Sequence, residues 1–160
     1  MTTIHPVPQE KQIRQIFSML FGNELVLDSG IPETSDNANA MYAVFINDDG
    51  KHVTACVCDY NFVAFAGSAL TRIPAGGAED AAKSGEFTDM MLSNLHEIMN
   101  ICSRLFMSNT SPHLRLETVY TSPDSVPDNA RTMMEACQER VDFSVSIPGY
   151  GKGGLSFMCT

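Results

Sequence analysis

The stretch MYAVFINDDGKHVTACVCD (41–59) narrows the fold more than any other part of the chain. Two runs rich in β-branched and aromatic residues flank Asp48-Asp49-Gly50, where glycine supplies the backbone freedom that a tight turn needs. The pattern predicts a hairpin. The chain closes on RVDFSVSIPGYGKGGLSFMCT, which reads as two further strands joined by the glycine-rich loop GYGKGG (149–154). Segments of helical period lie between these pairs. Hairpins with helices between them predict an α+β fold, a largely antiparallel sheet with helices packed on it, and not a doubly wound one.

The remaining elements follow from period and punctuation. Residues 8–22 space Ile13, Ile16, Phe17 and Leu20 as a helix, with Pro8 tolerable in the first turn and Gly22 a natural stop. Residues 31–40 (IPETSDNANA) are polar and turn-rich, hence a loop. NFVAFAGSALTRI (61–73) suits a short buried helix, and AGGAEDAAKSGE (75–86) reads as a flexible connection. A long helix is expected over 86–107, a strand over 114–121 (LRLETVYT), and a short amphipathic segment over 128–139. At 160 residues this is one domain, 1–160, with no internal repeat legible in the sequence.

Charge excludes whole classes of partner. Nineteen acidic against ten basic side chains give a formal net charge of -9, so nothing resembles a basic stripe for nucleic acid, and an acidic membrane surface would repel the chain. The N-terminus lacks a signal-peptide run and no segment is apolar enough to span a bilayer, which predicts a cytoplasmic protein. Five scattered cysteines agree with that expectation. Cys56 and Cys58 share a face of the alternating strand HVTACVCDY with His52 and Thr54, but C-x-C on a strand is a poor chelate, so they read as core and no metal site is assigned.

The chemistry-bearing residues fall on the long helix. At about 100° per residue, Phe87, Met91, Leu95, Ile98, Cys102 and Leu105 form one apolar stripe. Ser93, Glu97, Asn100 and Arg104 cluster on the side facing away from it. Taken alone, such a cluster is a solvated helix face, which every surface helix has.

Ser93-x3-Glu97-x2-Asn100, then twenty-two residues and Pro123, resembles the signature of the CheC/CheX/FliY phosphatases of bacterial chemotaxis. That signature is Asp or Ser, three residues, Glu, two residues, Asn, and about twenty-two residues to a proline. The element order resembles the single-site, CheX-like members over nearly the whole chain. The resemblance implies a substrate, a phosphorylated CheY-like response regulator whose aspartyl phosphate lies beside a Mg2+ held by the regulator itself. It implies that Asn100 orients the attacking water, that Glu97 pairs with the lysine lining the regulator's site, and that Ser93 and Pro123 support them. No cofactor of the protein's own is implied, and a homodimer joined at sheet edges is expected. A CheC-like binding or adaptor module that has lost turnover is the alternative.

The departures are specific. Only one copy of the signature is present, because Glu135-x2-Gln138 has Arg131 where Asp or Ser should stand. GYGKGG lacks the spacing of a phosphate-binding loop, and a strand follows it where a helix N-terminus is needed. His5, His52, His96 and His113 are dispersed and read as surface residues, and no G-x-S-x-G elbow surrounds any serine.

Overall fold

The two hairpins join two single strands in a six-stranded, wholly antiparallel sheet ordered β1-β5-β6-β3-β2-β4. The computed structural model describes residues 5–30, 39–108 and 110–159. The strands are β1 (Val26–Ser29), β2 (Ala40–Asn47), β3 (His52–Asp59), β4 (Leu114–Tyr120), β5 (Glu139–Ile147) and β6 (Gly151–Cys159). The helices are α1 (Glu10–Phe21), α2 (Tyr60–Ala69), α3 (Ala75–Ser84), α4 (Asp89–Cys102) and α5 (Asp128–Glu135). Most of the loop expected at 31–40 lies outside the described residues.

The topology contains a pattern that the sequence hides. Apart from α5, which is inserted between β4 and β5, the run α1-β1-β2-β3 has the same order of elements as α4-β4-β5-β6: a helix, one strand, then a hairpin. Each single strand pairs with the hairpin of the other run, β1 with β5 and β4 with β2, while β3 and β6 join the two halves. The exchange interlocks the halves, so neither hairpin has both of its neighbours without the other.

One face of the sheet carries the main core. Ile13 and Phe17 of α1, Phe62 and Val63 of α2, and Leu95, Ile98 and Met99 of α4 pack on Phe45, Cys56, Cys58, Val145, Leu155 and Phe157. Cys56 and Cys58 are buried there, as core residues should be, and burial pushes the Cys56 thiol up. On the second face, Val126, Ala130 and Met133 around α5 cover Val44 and Ala55.

Several expected boundaries are corrected. The connection at 75–86 is helical over Ala75–Ser84, because Ala78 and Ala81 present a small buried face and Gly85 closes the helix at φ +74°. The helix expected over 86–107 starts at Asp89, where the Thr88 hydroxyl accepts from the Met91 N–H at 3.2 Å, and gives way to a 3-10 turn at Ser103–Phe106. The helix expected at 61–73 ends at Ala69, and the segment at 128–139 is helical only to Glu135, since Glu139 already begins β5. Strand β1 was not expected, and β6 begins at Gly151, inside the glycine-rich run taken as a loop.

A bulge also moves His52. Phe45 pairs with Thr54 but Ile46 pairs with His52, so the register slips by one and His52 leaves the cysteine face. It meets Glu117 instead, with Nε2 3.0 Å from Oε1, across β2, since β3 bulges at Val53 and β4 at Glu117 where each pairs with β2. The Tyr120 hydroxyl donates to the same carboxylate at 2.6 Å. Burial raises the Glu117 pKa, but bonds from Tyr120 and His52 outweigh it and hold the carboxyl below its usual 4.5. A depressed folded-state value stabilises the fold above the unfolded value, and that contribution disappears as pH falls through the folded one. Glu117→Gln is therefore expected to melt below wild type at pH 6. The gap should close as pH drops below about 4.5 in a series of thermal melts.

Candidate functional site

The geometry of α4 begins with its caps and its seam. Thr88 fixes the first turn, and the Ser103 hydroxyl donates to the Asn100 carbonyl oxygen at 2.7 Å at the last. Met91, Leu95, Ile98 and Cys102 are buried as the stripe predicted, and Leu105 joins them from the 3-10 turn. Phe87 lies just outside the helix, edge-on to Tyr60 with ring centroids 5.1 Å apart.

The orientation of the helix depends on a residue that periodicity assigns to no role. Asn94 is 7% exposed, and its Nδ2 donates to the Gly67 carbonyl at 2.7 Å and the Thr71 hydroxyl at 2.9 Å. Gly67 is in the last turn of α2, where carbonyls lack helical partners, so α4 caps α2 from the side. The helices approach closely: a Cβ on Gly67 would stand 2.8 Å from the Met91 carbonyl oxygen. Asn94→Ala is expected to cost about 1–3 kcal/mol by urea unfolding, because the Gly67 carbonyl would be left unpaired in the seam.

With that seam fixed, Ser93, Glu97 and Asn100 are all exposed on the outward side of α4. Glu97 and Asn100 are three residues apart, one helical turn, and neither side chain has a hydrogen-bond or ion-pair partner among the described residues. His96 is exposed next to them, and Met90 is 54% exposed one turn before Ser93 and Asn94. A shallow cavity of about 350 Å³ lies between α4 and β4, with Ser93, His96 and Asp89 at its rim and Leu92 and Val119 within. A carboxylate and an amide thus project from a rigid element, with the cavity one turn away at Ser93. Arg104, expected in the same cluster, sits on the 3-10 turn, exposed.

Pro123 is placed elsewhere. It opens a short 3-10 turn after β4, and its carbonyl accepts from the Arg131 guanidinium at 2.8 Å, on the α5 side of the sheet. The other histidines are not brought to α4. His5 is buried with Nδ1 3.3 Å from the Phe106 carbonyl oxygen, correcting its reading as a surface residue, and His113 pairs with Asp48 at 2.8 Å. No group of three or more His, Cys, Asp or Glu side chains able to hold a metal ion occurs among the described residues. No described helix is long and apolar enough to cross a membrane.

No family model matches the sequence, and no curated protein matches it. Solved structures match in fold. FliM from H. pylori, solved with SpeE, is 10% identical, with 93% of this chain and 80% of that chain covered at a TM-score of 0.58. CheX from Borrelia burgdorferi, solved with CheY, BeF3 and Mg2+, is 12% identical, with 90% of each chain covered at a TM-score of 0.54. The chain has the CheX and FliM fold. FliM solved with FliG gives a similar result, at 12% identity, 91% and 82% coverage and a TM-score of 0.56. The expected α+β architecture of a CheC-like fold is therefore present from α1 to β6.

Thr88 was passed over by the expected start at 86, although a threonine just before an apolar period is the signal that could have fixed the cap. Asn94 carried no such signal, since a polar residue inside a helix reads as exposed.

Proposed function

We propose that this protein accelerates hydrolysis of the aspartyl phosphate of a CheY-like response regulator, with α4 entering the regulator's phosphorylation site. The observation that carries the reading is Glu97 and Asn100, exposed one turn apart and without partners among the described residues, on the outward face of a capped helix. The CheX structure with CheY supports the choice of partner.

The chemistry asks little of the helper. An acyl phosphate is already activated, and the regulator's own Mg2+ neutralises charge on the phosphoryl oxygens. What is missing is a water held in line with phosphorus. The new bond forms between water oxygen and phosphorus while the bond to the aspartyl oxygen breaks, and the carboxylate leaves as an anion without needing a proton. The water's proton passes to phosphate or solvent. Asn100 accepts from that water through its carbonyl oxygen and donates through its NH2, adding no negative charge beside the phosphoryl group.

Glu97 serves differently. A carboxylate close to the phosphate would be repelled, so its role is to pair with the lysine of the regulator's site and set the register of the two proteins. Ser93 supports docking beside the α4–β4 cavity. Pro123 shapes the turn after β4. In a titration of phosphorylated regulator, Glu97→Ala is expected to raise the half-saturating concentration about tenfold or more and to leave the maximal rate largely intact. An unchanged half-saturating concentration would remove Glu97 from the docking role.

A second reading has its own support, the FliM structures solved as complexes with SpeE and FliG. In it the chain is a binding module without turnover, and a stable complex with a regulator whose phosphate lifetime is unchanged would decide for it. In either reading the edge strands β1 and β4 are where a homodimer joined through the sheet would form, which sedimentation of the purified protein would report.

A further inference from the structure

Helix α5 covers only part of the sheet's second face, and a cavity of about 330 Å³ opens between it and strands β2, β3 and β6. Its apolar surface comes from Val57 and Met158 of the sheet and Met134 of α5, with Tyr42 alongside. Two guanidiniums, Arg131 and Arg140, meet at the same cavity. We infer that this cleft is a binding site for a small organic monoanion, a carboxylate carried on a compact apolar body.

The guanidiniums are held in place by their outer edges. Arg131 donates through one terminal nitrogen to the Pro123 carbonyl at 2.8 Å and the Val126 carbonyl at 3.2 Å. Arg140 donates from Nε to Asp142 at 2.8 Å and from one terminal nitrogen to the Ser156 hydroxyl at 3.3 Å. Each guanidinium has five N–H donors, so a full terminal NH2 group on each is left without a protein acceptor among the described residues. Anchored, planar donors lose little freedom on meeting a carboxylate, which they match edge to edge. Burial pushes the Tyr42 phenol up while the two guanidiniums pull it down, which agrees with both charges facing the same space.

The remaining charge sets the ligand class. Glu135 is the one carboxylate among the lining residues, and Asp142 is already paired with Arg140. Arg131 and Arg140 are thus matched by Glu135 and Asp142, so the cleft offers free N–H donors without surplus positive charge, and a ligand can bring no more than a single negative charge. A dianion such as phosphate would face Glu135 unpaired. The methionine and valine surface requires an apolar body, and the volume fits a small ligand.

The test uses para-trifluoromethyl-phenylacetate as probe, its fluorine signal followed by NMR with the full chain. Saturable binding with a dissociation constant below about 1 mM is expected. The neutral amide of the same acid, or Arg140→Gln with the acid, should weaken binding about tenfold. Glu135→Gln should tighten it a few-fold, and Met134→Trp, which fills the cleft while keeping both arginines, should abolish it. Circular dichroism confirms that each variant is folded. No saturation up to about 10 mM, equal binding of the amide, or insensitivity to both Arg140→Gln and Met134→Trp would each overturn the assignment. None of these side chains lies on α4, so a negative result leaves the reading of Glu97 and Asn100 untouched.

Discussion

Asn100→Ala is expected to slow phosphate loss from the phosphorylated regulator by about 10²-fold or more, at protein concentrations that saturate the wild type. The size follows from the division of labour proposed here. If the metal and the acyl phosphate are the partner's, positioning of water is nearly all that this chain adds, and Asn100 carries it. The variant is also clean. The Asn100 side chain is exposed and without a partner among the described residues, and the backbone oxygen that holds Ser103 is untouched by the change. Surface substitutions of that kind stay within about 0.5 kcal/mol of wild type, so the melting temperature should not move. Asn100→Asp is the sharper companion. It keeps the size of the side chain but exchanges the NH2 donor for a negative charge facing a phosphoryl group, and activity should fall at least as far. Stopped-flow phosphate release reads both. Retained activity in Asn100→Ala would assign the water to another group.

Gly153→Ala is expected to destabilise the fold by about 3 kcal/mol or more, far beyond the effect of adding one methyl at an open site. A Cβ at this position would stand 2.4 Å from both the nitrogen and the Cα of Phe62. Backbone atoms cannot swing aside as the end of a side chain does. The first turn of α2 is also tied to β6 and to its own cap at this point. The Asp59 carboxylate accepts from the Phe62 N–H at 2.7 Å and from the Gly154 N–H at 2.9 Å. Separating the helix from the strand would therefore break a charge-assisted clamp as well as the packing of Phe62. A fall in melting temperature on the order of 10 °C follows for a chain of this size. Gly76→Ala is the control. It lies exposed in α3 with nothing within 4 Å of the added Cβ, so it should stabilise by roughly 0.5–1 kcal/mol through helix propensity.

What the sequence made legible follows from which signals periodicity carries. Strands β2, β3, β5 and β6 run for eight or nine residues each and fall in two pairs about glycine-containing turns, a signal that survives burial of both faces. Strand β1 is four residues, and its pairing is set by distant β5, so nothing local announces it. Helix α3 was mistaken for a connection because its buried face is built from Ala78 and Ala81, and two glycines near its start read as flexibility. Its helical state comes from packing against α2, a tertiary effect.

The same contrast holds at the site. The outward cluster on α4 was readable because a stripe of large apolar residues fixes the opposite side. Asn94 was not, because its hydrogen bonds to Gly67 and Thr71 belong to another helix. The displacement of His52 depended on a bulge at Val53 of β3, which the sequence pattern of the hairpin does not reveal. Pro123 matched by spacing, yet its carbonyl accepts from Arg131 on the α5 side, a contact that spacing does not disclose.

The lifetime of the aspartyl phosphate, measured across the phosphorylated response regulators of the same cell with and without saturating protein, bears most directly on the role given to α4. At least one regulator should lose its phosphate ten times faster or more with the protein present. If every lifetime stays at the regulator's own rate, the helix face carrying Glu97 and Asn100 is not a hydrolytic device.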